Sequence, residues 1–130
     1  MANAYAKTLK GGEVIGLIGN LGAGKTQFAK GLARGLRIKN RITSPTFVLM
    51  KVYKTHNSSA AADTIQNLIH VDAYRLDKNS DISSFGLNEY LGKKNAVVVI
   101  EWADRIKKHL PKKTKYIKFK IKDNLRIITF

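Results

Sequence analysis

The sequence contains no cysteine among its 130 residues. This absence excludes disulfide bonds, thiolate metal sites and cysteine nucleophiles. No apolar run reaches the roughly 18 residues that suggest a membrane span, and the first ten residues lack the apolar core of a secretory signal. We therefore expect a protein of the cytoplasm that does not act in a membrane.

Acidic residues are scarce, with 9 Asp and Glu against 24 Lys and Arg, which gives a formal net charge of +15. Such a field attracts polyanions, for example RNA or an acidic protein face. A solvated basic surface that serves no partner explains the same composition equally well. Hydrophobic residues make up 44% and charged residues 25%, so we expect one folded domain over residues 1–130.

Three apolar runs rich in Val, Ile and Leu are typical of buried parallel strands, at residues 13–18, 68–71 and 96–100. The first run lies between two clusters of glycines. An amphipathic helix is predicted from Lys25 to about Leu36, because apolar residues recur there at three- and four-residue steps. This alternation of strand and helix indicates an α/β fold.

The C-terminal segment has a different pattern. Residues 117–122 alternate between Ile or Phe and Lys, which predicts a strand with one wet face. Asp123 and Asn124 tolerate the left-handed conformations of a tight turn, so residues 125–130 are predicted to return as an edge strand. Residues 47–53 are β-prone, and residues 82–91 are predicted to form a short helical stretch.

Residues 19–26, with the sequence GNLGAGKT, match the phosphate-loop pattern G-x-x-x-x-G-K-[ST] between a predicted strand and a predicted helix. The glycines let backbone N–H groups turn toward phosphate oxygens. Lys25 can bridge the outer phosphates, and the hydroxyl of Thr26 can ligate Mg2+. The positive end of the following helix adds attraction, so the pattern predicts nucleotide binding.

Two acidic residues directly follow predicted strands and are candidates for a second group at the Mg2+ ion. Glu101 ends the run at residues 96–100, and Asp72 ends the weaker run at residues 68–71. Parallel strands deliver both to the sheet edge that carries the phosphate loop. The pattern leaves open which of the two contacts Mg2+ directly, and a surface acid at a strand end is the alternative for each.

Residues 43–46, Thr-Ser-Pro-Thr, stand where P-loop proteins place a segment that senses the γ-phosphate, although a plain proline turn explains them equally well. Trp102 is the only tryptophan and could stack on a base, mark a partner surface or cap the core. His70 is interpreted as a packed or hydrogen-bonded residue rather than a catalyst, and His56 and His109 as surface residues.

Taken in order, five segments resemble one family closely, and they are GNLGAGKT at 19–26, TSPTF at 43–47, HVDAYRL at 70–76, GLNEYL at 86–91 and VIEW at 99–102. The family is TsaE, the P-loop ATPases of bacterial tRNA threonylcarbamoyladenosine (t6A) synthesis. The resemblance extends from about Gly12 to Arg126. The combination of Ser-Pro-Thr, His-x-Asp-x-Tyr-Arg-Leu and Glu-Trp is far more specific than the phosphate loop alone.

The resemblance implies a three-layer α/β P-loop fold, with a mainly parallel central sheet, helices on both faces and an antiparallel C-terminal hairpin. It also implies a Mg2+-dependent ATPase, weak alone, which acts with the TsaB-TsaD transferase complex and reaches tRNA through that complex. Hydrolysis of ATP would reset or remodel the transferase between rounds and would not drive the transfer itself.

The resemblance also implies roles for single residues. Catalytic roles fall to Lys25, Asp72 and Glu101, while Thr26, Glu101 and Asp72 would hold Mg2+. Trp102 and the Tyr74-Arg75 pair would lie near the site or its partner surface. The residues expected to bind the nucleotide are Asn20, Leu21, Gly22, Ala23, Gly24, Lys25, Thr26, Ser44 and Thr46.

The sequence departs from the family pattern at three places. Asn20 stands where the family usually has an aspartate, which removes a carboxylate beside the phosphate loop. The lead before the first strand, a region that can help cover the adenine, is shorter than usual. The loop at residues 54–64 is longer than usual.

Two other classes of protein are the alternatives. Another small P-loop kinase or NTPase would need an acceptor pocket and usually an Arg-rich lid, and we recognise no such lid in the sequence. A GTPase would carry an Asn-Lys-x-Asp motif, which the sequence lacks. A basic RNA-binding module with a vestigial phosphate loop would account for the charge, but the sequence lacks the interleaved aromatics of a stacking platform.

Overall fold

A six-stranded sheet forms the centre of the fold in a computed structural model that describes residues 1–45, 47–56 and 65–130. The strands are β1 (Val14–Gly19), β2 (Met50–Lys54), β3 (Asn67–Asp72), β4 (Ala96–Glu101), β5 (Lys115–Lys122) and β6 (Leu125–Thr129). Their order across the sheet is β2-β3-β4-β1-β5-β6. The three predicted central strands therefore lie next to one another.

The four inner strands run parallel, and both edge strands run antiparallel to their neighbours. This arrangement confirms the predicted α/β fold with a mainly parallel sheet and a C-terminal hairpin. The hairpin turns at Asp123 and Asn124, whose φ angles of 50° and 62° are those of the predicted tight turn. The β-prone segment at residues 47–53 forms a strand only from Met50, after Leu49 with its φ of 65°.

Two α-helices cover one face of the sheet, α1 (Ala2–Ala6) and α2 (Lys25–Gly35). Helix α2 is the predicted amphipathic helix and buries Phe28, Ala29, Leu32 and Ala33. Helix α1 was not predicted. It lies against α2 at Gly31, where an added Cβ would stand 2.6 Å from the Cβ of Ala2. The absence of a side chain at that point allows the two helices to approach closely.

In the part of the chain that the structure describes, 3₁₀-helical segments cover the opposite face at Ile82–Phe85, Leu87–Glu89 and Ala103–His109, the last of which is kinked at Ile106. The predicted helical stretch at residues 82–91 is therefore two short 3₁₀ turns, interrupted at Gly86 with its φ of 87°. Buried apolar residues from these segments and from the strands form the second core, and Ile82, Leu87, Ala103 and Ile106 belong to it. The helices on the two faces are thus of different kinds.

The carboxyl ends of β1, β3 and β4 lie side by side, because these strands are parallel and adjacent. Val14 pairs with Val98 and Leu17 with Glu101, so the phosphate loop after β1 begins beside the end of β4. The sheet thereby brings the predicted site residues to one edge. In the described parts of the chain, no helix is long and apolar enough to cross a membrane.

Candidate functional site

The loop between β1 and α2 has the backbone shape of a phosphate cradle. Gly22 and Gly24 adopt φ angles of 79° and 108°, a left-handed region that side chains disfavour. Gly24 precedes the first turn of α2, and no hydrogen bond from a described side chain caps that turn. The first N–H groups of a helix have no partner within the helix, so they remain available to an anion.

Lys25 lies inside this loop with only 4% of its surface exposed. Its Nζ donates to the carbonyl oxygen of Gly19 and, at 3.0 Å, to that of Asn20. The same Nζ stands 3.9 Å from the centre of the Trp102 ring. Loop carbonyls and an aromatic face therefore hold the ammonium group at the position from which it can reach phosphate oxygens.

Burial lowers the pKa of Lys25, because removal from water disfavours the charged form. The negative charges of Glu101, Asp104 and Asp72 oppose this effect. The lysine is thus a partly desolvated cation in a site that also holds carboxylates. A phosphate chain would supply the additional negative charge that such a cation attracts.

Glu101 is held by hydrogen bonds at both carboxylate oxygens. The hydroxyl of Thr26 donates to Oε1 of Glu101 at 2.7 Å, and Nε2 of His70 lies 2.6 Å from Oε2. Glu101 is 3% exposed and His70 is fully buried. Thr26 and Glu101, the two candidate Mg2+ ligands that are 75 residues apart in sequence, are therefore in direct contact.

Asp72 lies beside Glu101, since the two residues pair in the register of β3 and β4. Its Oδ2 accepts a hydrogen bond from the hydroxyl of Ser44 at 3.0 Å, and its Oδ1 accepts one from the backbone N–H of Tyr74 at 2.9 Å. The Thr-Ser-Pro-Thr segment thus contacts the site through Ser44. Thr46 lies outside the described residues.

A cavity of about 1030 Å³ opens above these groups, which is room enough for a nucleotide. The polar part of its lining consists of the phosphate loop with Lys25, Thr26, Asp72 and Glu101. The rest of the lining, which we call the apolar end, includes Met1, Ala2, Phe28 and Ile128, while Arg126 lies beside Gly24 of the phosphate loop. Of the residues that the sequence singled out, Asn20 is exposed beside the cavity without lining it.

Trp102 is half-buried at the rim of the cavity and adopts a left-handed backbone conformation with φ of 60°. The ring of Tyr74 meets it edge-on, with 5.0 Å between the ring centres. The guanidinium of Arg105 lies 4.9 Å from the Tyr74 ring. This cluster is partly exposed, with Tyr74 48% accessible, so it joins the cavity to the outer surface.

The donor set suits a hard cation that a nucleotide helps to bind. Among the described residues, no group of three or more His, Asp or Glu side chains could hold a metal by itself. Thr26, Glu101 and Asp72 instead present a hydroxyl and two carboxylates, the oxygen donors that Mg2+ prefers. An ion bound here would take its remaining ligands from phosphate oxygens and water.

Two features of the site were not identified from sequence. The sequence indicated a packed or hydrogen-bonded His70 but did not name Glu101 as its partner. The spacing contained a signal for this contact, because His70 precedes Asp72 by two residues on β3 and therefore projects from the same face as that site residue. The terminal residues that line the apolar end, such as Met1 and Ile128, had no such signal, because only the packing of α1 and β6 brings them there.

His56 is exposed and His109 is partly exposed, in agreement with their interpretation as surface residues.

Comparisons with known proteins agree with the motifs. A family model described as "Threonylcarbamoyl adenosine biosynthesis protein TsaE" matches residues 1–128. A protein of Bacillus subtilis named "tRNA threonylcarbamoyladenosine biosynthesis protein TsaE" is 39% identical, with all of this chain and 76% of that protein covered. A protein of the same name from Aquifex aeolicus is 39% identical, with 82% of this chain and 70% of that protein covered.

A solved structure shows the same similarity. The crystal structure of Bacillus subtilis YdiB superposes on 98% of this chain and 72% of that chain, with a TM-score of 0.72 and 36% sequence identity. The match to the family model covers nearly the whole chain, and the relatives share more than a third of their residues with it. The chain therefore belongs to the TsaE family.

Proposed function

We propose that this site binds ATP with Mg2+ and hydrolyses it, and that the protein serves the biosynthesis of t6A on tRNA together with the TsaB-TsaD transferase. The observation that carries the proposal is the contact between Thr26 and Glu101 at the mouth of the phosphate loop. It joins the two halves of a nucleotide-hydrolysing site, the cradle and the acidic strand end, in one cavity. Membership of the TsaE family supports nucleotide binding and a role in this pathway.

The phosphate loop and Lys25 bind the phosphate chain. Lys25 now donates to the carbonyls of Gly19 and Asn20, and phosphate oxygens are stronger acceptors for an ammonium group than neutral carbonyls. The N–H groups at the start of α2 bind further oxygens. Lys25 also stabilises the charge that accumulates on the transferred phosphoryl group.

Thr26, Glu101 and Asp72 would hold Mg2+, which when bound supplies a positive charge that neutralises phosphate oxygens. Thr26 lines the cavity, and its hydroxyl donates a hydrogen bond to Glu101. Both carboxylates lie at adjacent strand ends, where either can accept a proton from an attacking water. Ser44, which donates a hydrogen bond to Asp72, would respond to the terminal phosphate, and Thr46 is assigned the same role by resemblance alone.

The apolar end of the cavity takes the adenine. Met1, Ala2, Phe28 and Ile128 offer apolar surface to a purine ring, and Arg126 adds a planar cation that can stack on it. These residues come from α1, α2 and β6, so three separate elements contribute to base binding.

The relatives, which are named as tRNA t6A biosynthesis proteins, support the pathway, and the resemblance to the TsaE family implies the partners. We assign to this chain the ATP-dependent step that restores the TsaB-TsaD complex after each round, with tRNA reached through that complex, in the cytoplasm. Residues 1–130 act as one domain in this proposal, because both hydrophobic cores pack on the same sheet. The exposed cluster of Trp102, Tyr74 and Arg105 is a candidate surface for the partner.

Formation of t6A on unmodified tRNA by purified TsaB and TsaD tests this assignment. With the wild-type chain and ATP, the amount of t6A should exceed the amount of transferase complex many times over. With Lys25→Ala it should stop near one round, while Lys113→Ala, an exposed lysine before β5, should behave like the wild type. Repeated rounds with Lys25→Ala would contradict the proposal, and rapid phosphate transfer to a small metabolite without partners would favour a kinase.

A further inference from the structure

His70 is a fully buried polar residue in an apolar layer. It lies on β3 with its neighbour on the same face, Leu68, also fully buried, and it pairs in register with Val99 of β4, which is buried as well. An aliphatic side chain would fill such a position without the cost of burying an imidazole. A histidine at this position therefore indicates a functional polar contact, and within the described residues its partner is Glu101.

The two ring nitrogens differ in what they contact. Nε2 lies 2.6 Å from Oε2 of Glu101, whereas Nδ1 is buried and has no hydrogen-bond partner among the described residues. A ring held in the core for packing alone would leave two polar atoms without partners. His70 instead brings Nε2 to one oxygen of one carboxylate, and because an ionised carboxylate only accepts hydrogen bonds, Nε2 is the donor.

That contact determines how Glu101 presents its other oxygen. A glutamate carboxylate can turn about three side-chain torsions, so it needs partners to keep one orientation. His70 holds Oε2 from the core side, and Oε1 then faces the hydroxyl of Thr26. Lys25 carries a positive charge close enough to interact with Glu101, and a released carboxylate would be free to turn toward it. Such a turn would withdraw both groups from the phosphates.

We propose that His70 is a positioning residue for Glu101, which keeps this carboxylate on Thr26 and away from Lys25 during ATP hydrolysis. The inference rests on the proposed function, since it assigns His70 to the same site. His70 does not line the cavity. It acts only through Glu101.

Two substitutions separate positioning from packing. In His70→Gln the side-chain amide nitrogen reaches about as far as Nε2 and can still donate to Oε2 of Glu101. In His70→Asn the amide nitrogen reaches only as far as Nδ1, so the bond is lost while the residue stays polar and small. Leu68→Val removes one buried methylene group from the same face and serves as a control for lost packing.

ATP hydrolysis in the presence of TsaB and TsaD should give kcat for His70→Asn at least about 10-fold below that of the wild type, the effect of losing an outer partner of a metal-site ligand. The KM for ATP should stay within about threefold, because the phosphate loop is intact. His70→Gln should recover most of the lost kcat. Thermal unfolding should show similar midpoints for His70→Asn and His70→Gln, and Leu68→Val should lower the midpoint without lowering kcat.

Three outcomes would overturn the inference. The first is a kcat for His70→Asn equal to that of His70→Gln, and the second is a loss of kcat that follows the loss of thermal stability across all three variants. The third is a wild-type chain that binds ATP but does not hydrolyse it, which would overturn the proposed function as well. If the wild type hydrolyses ATP and His70→Asn has the same kcat, the positioning role of His70 is rejected while the proposed function stands.

Discussion

In the proposed function, Lys25 would exchange one set of partners for another when a nucleotide binds. In the structure it lies in the loop with two carbonyl oxygens and the Trp102 ring around its ammonium group. Burial lowers its pKa, whereas a bound phosphate chain would favour the charged form. Proton binding and nucleotide binding at this residue are therefore coupled.

This coupling predicts the pH dependence of ATP affinity. Only the protonated lysine attracts phosphate, so the affinity should fall as pH rises through the lowered pKa, beginning below the ordinary lysine value of about 10.4. In this pH range the unfolded chain binds more protons than the folded one, so the contribution of Lys25 to folding stability rises with pH. Unfolding linked to Lys25 therefore does not cause the expected fall in ATP affinity. Equilibrium binding of Mg-ATP between about pH 7 and pH 10 measures the effect.

Lys25→Arg is the control, because arginine remains charged over the whole range. Lys25→Arg should bind ATP more weakly than the wild type, but its affinity should not change with pH over this range. A wild-type affinity that does not change with pH, or an equal decline in Lys25→Arg, would show that another group controls binding.

The site residues that could be predicted from sequence are those that lie close together in the chain. The phosphate loop is such a case, since GNLGAGKT specifies its own conformation and chemistry between a strand and a helix. The contacts of Trp102 with Lys25 and of His70 with Glu101 join positions far apart in the chain. They depend on the strand order and register, which no local pattern contains.

At the scale of elements, the contact between α1 and α2 controls one wall of the cavity. Gly31 and Gly35 lie one turn apart on α2 and face Ala2 and Ala6 of α1. A Cβ at Gly35 would meet the Cβ of Ala6 and would stand 2.8 Å from the backbone oxygen of Asn3. Since backbone atoms cannot move aside as a flexible side chain can, α1 itself would have to shift.

Gly35→Ala is therefore expected to destabilise the protein. Overpacking costs about 1–3 kcal/mol, and the better helix propensity of alanine returns up to about 1 kcal/mol, so the net loss should be roughly 1–2 kcal/mol. Urea denaturation measures this difference. Arg34→Ala, at an exposed position of the same helix, should change stability by less than about 0.5 kcal/mol. A Gly35→Ala protein as stable as Arg34→Ala would mean that α1 does not pack as described.

The longer elements have strong sequence patterns and were predicted, whereas the shortest elements have no clear pattern. The strands β1 and β4 bury consecutive residues and so form continuous apolar runs, whereas α2 buries one face and so shows an apolar stripe. Both patterns are visible in sequence. Helix α1 is too short to show a period, with five residues, and the segments at Ile82–Phe85 and Leu87–Glu89 are shorter still. Their conformation is determined by the surface on which they pack.

At the scale of the whole molecule, the charge is distributed unevenly. The sequence contains no Asp or Glu between Glu13 and Asp63, a stretch that includes α2 and β2. A second cavity, of about 340 Å³, lies in this stretch, and its lining residues include Lys30, Arg34, Lys39 and Arg41. The described lining of this cavity contains no acidic residue, so its cations are suited to an acidic face of the proposed transferase partner or to its bound tRNA.

This distribution predicts that binding to the tRNA-loaded TsaB-TsaD complex weakens as salt rises. The double variant Arg34→Gln with Arg41→Gln should bind more weakly at low salt and show a smaller dependence on salt. Lys112→Gln with Lys113→Gln removes the same charge from an exposed turn and is the control. Affinity that is independent of salt, or equal losses in both double variants, would reject a specific role for this basic cavity.

The rate of ATP hydrolysis by the purified chain in the presence of TsaB and TsaD tests the central claim most directly. Lys25→Ala removes the buried cation of the phosphate loop, and Glu101→Ala removes the carboxylate bonded to Thr26. Each should lower the rate at least about 100-fold, the cost of losing one preorganised catalytic group, while Lys113→Ala should match the wild type. Equal rates in the wild type, Lys25→Ala and Glu101→Ala would contradict the assignment of this site as an ATPase.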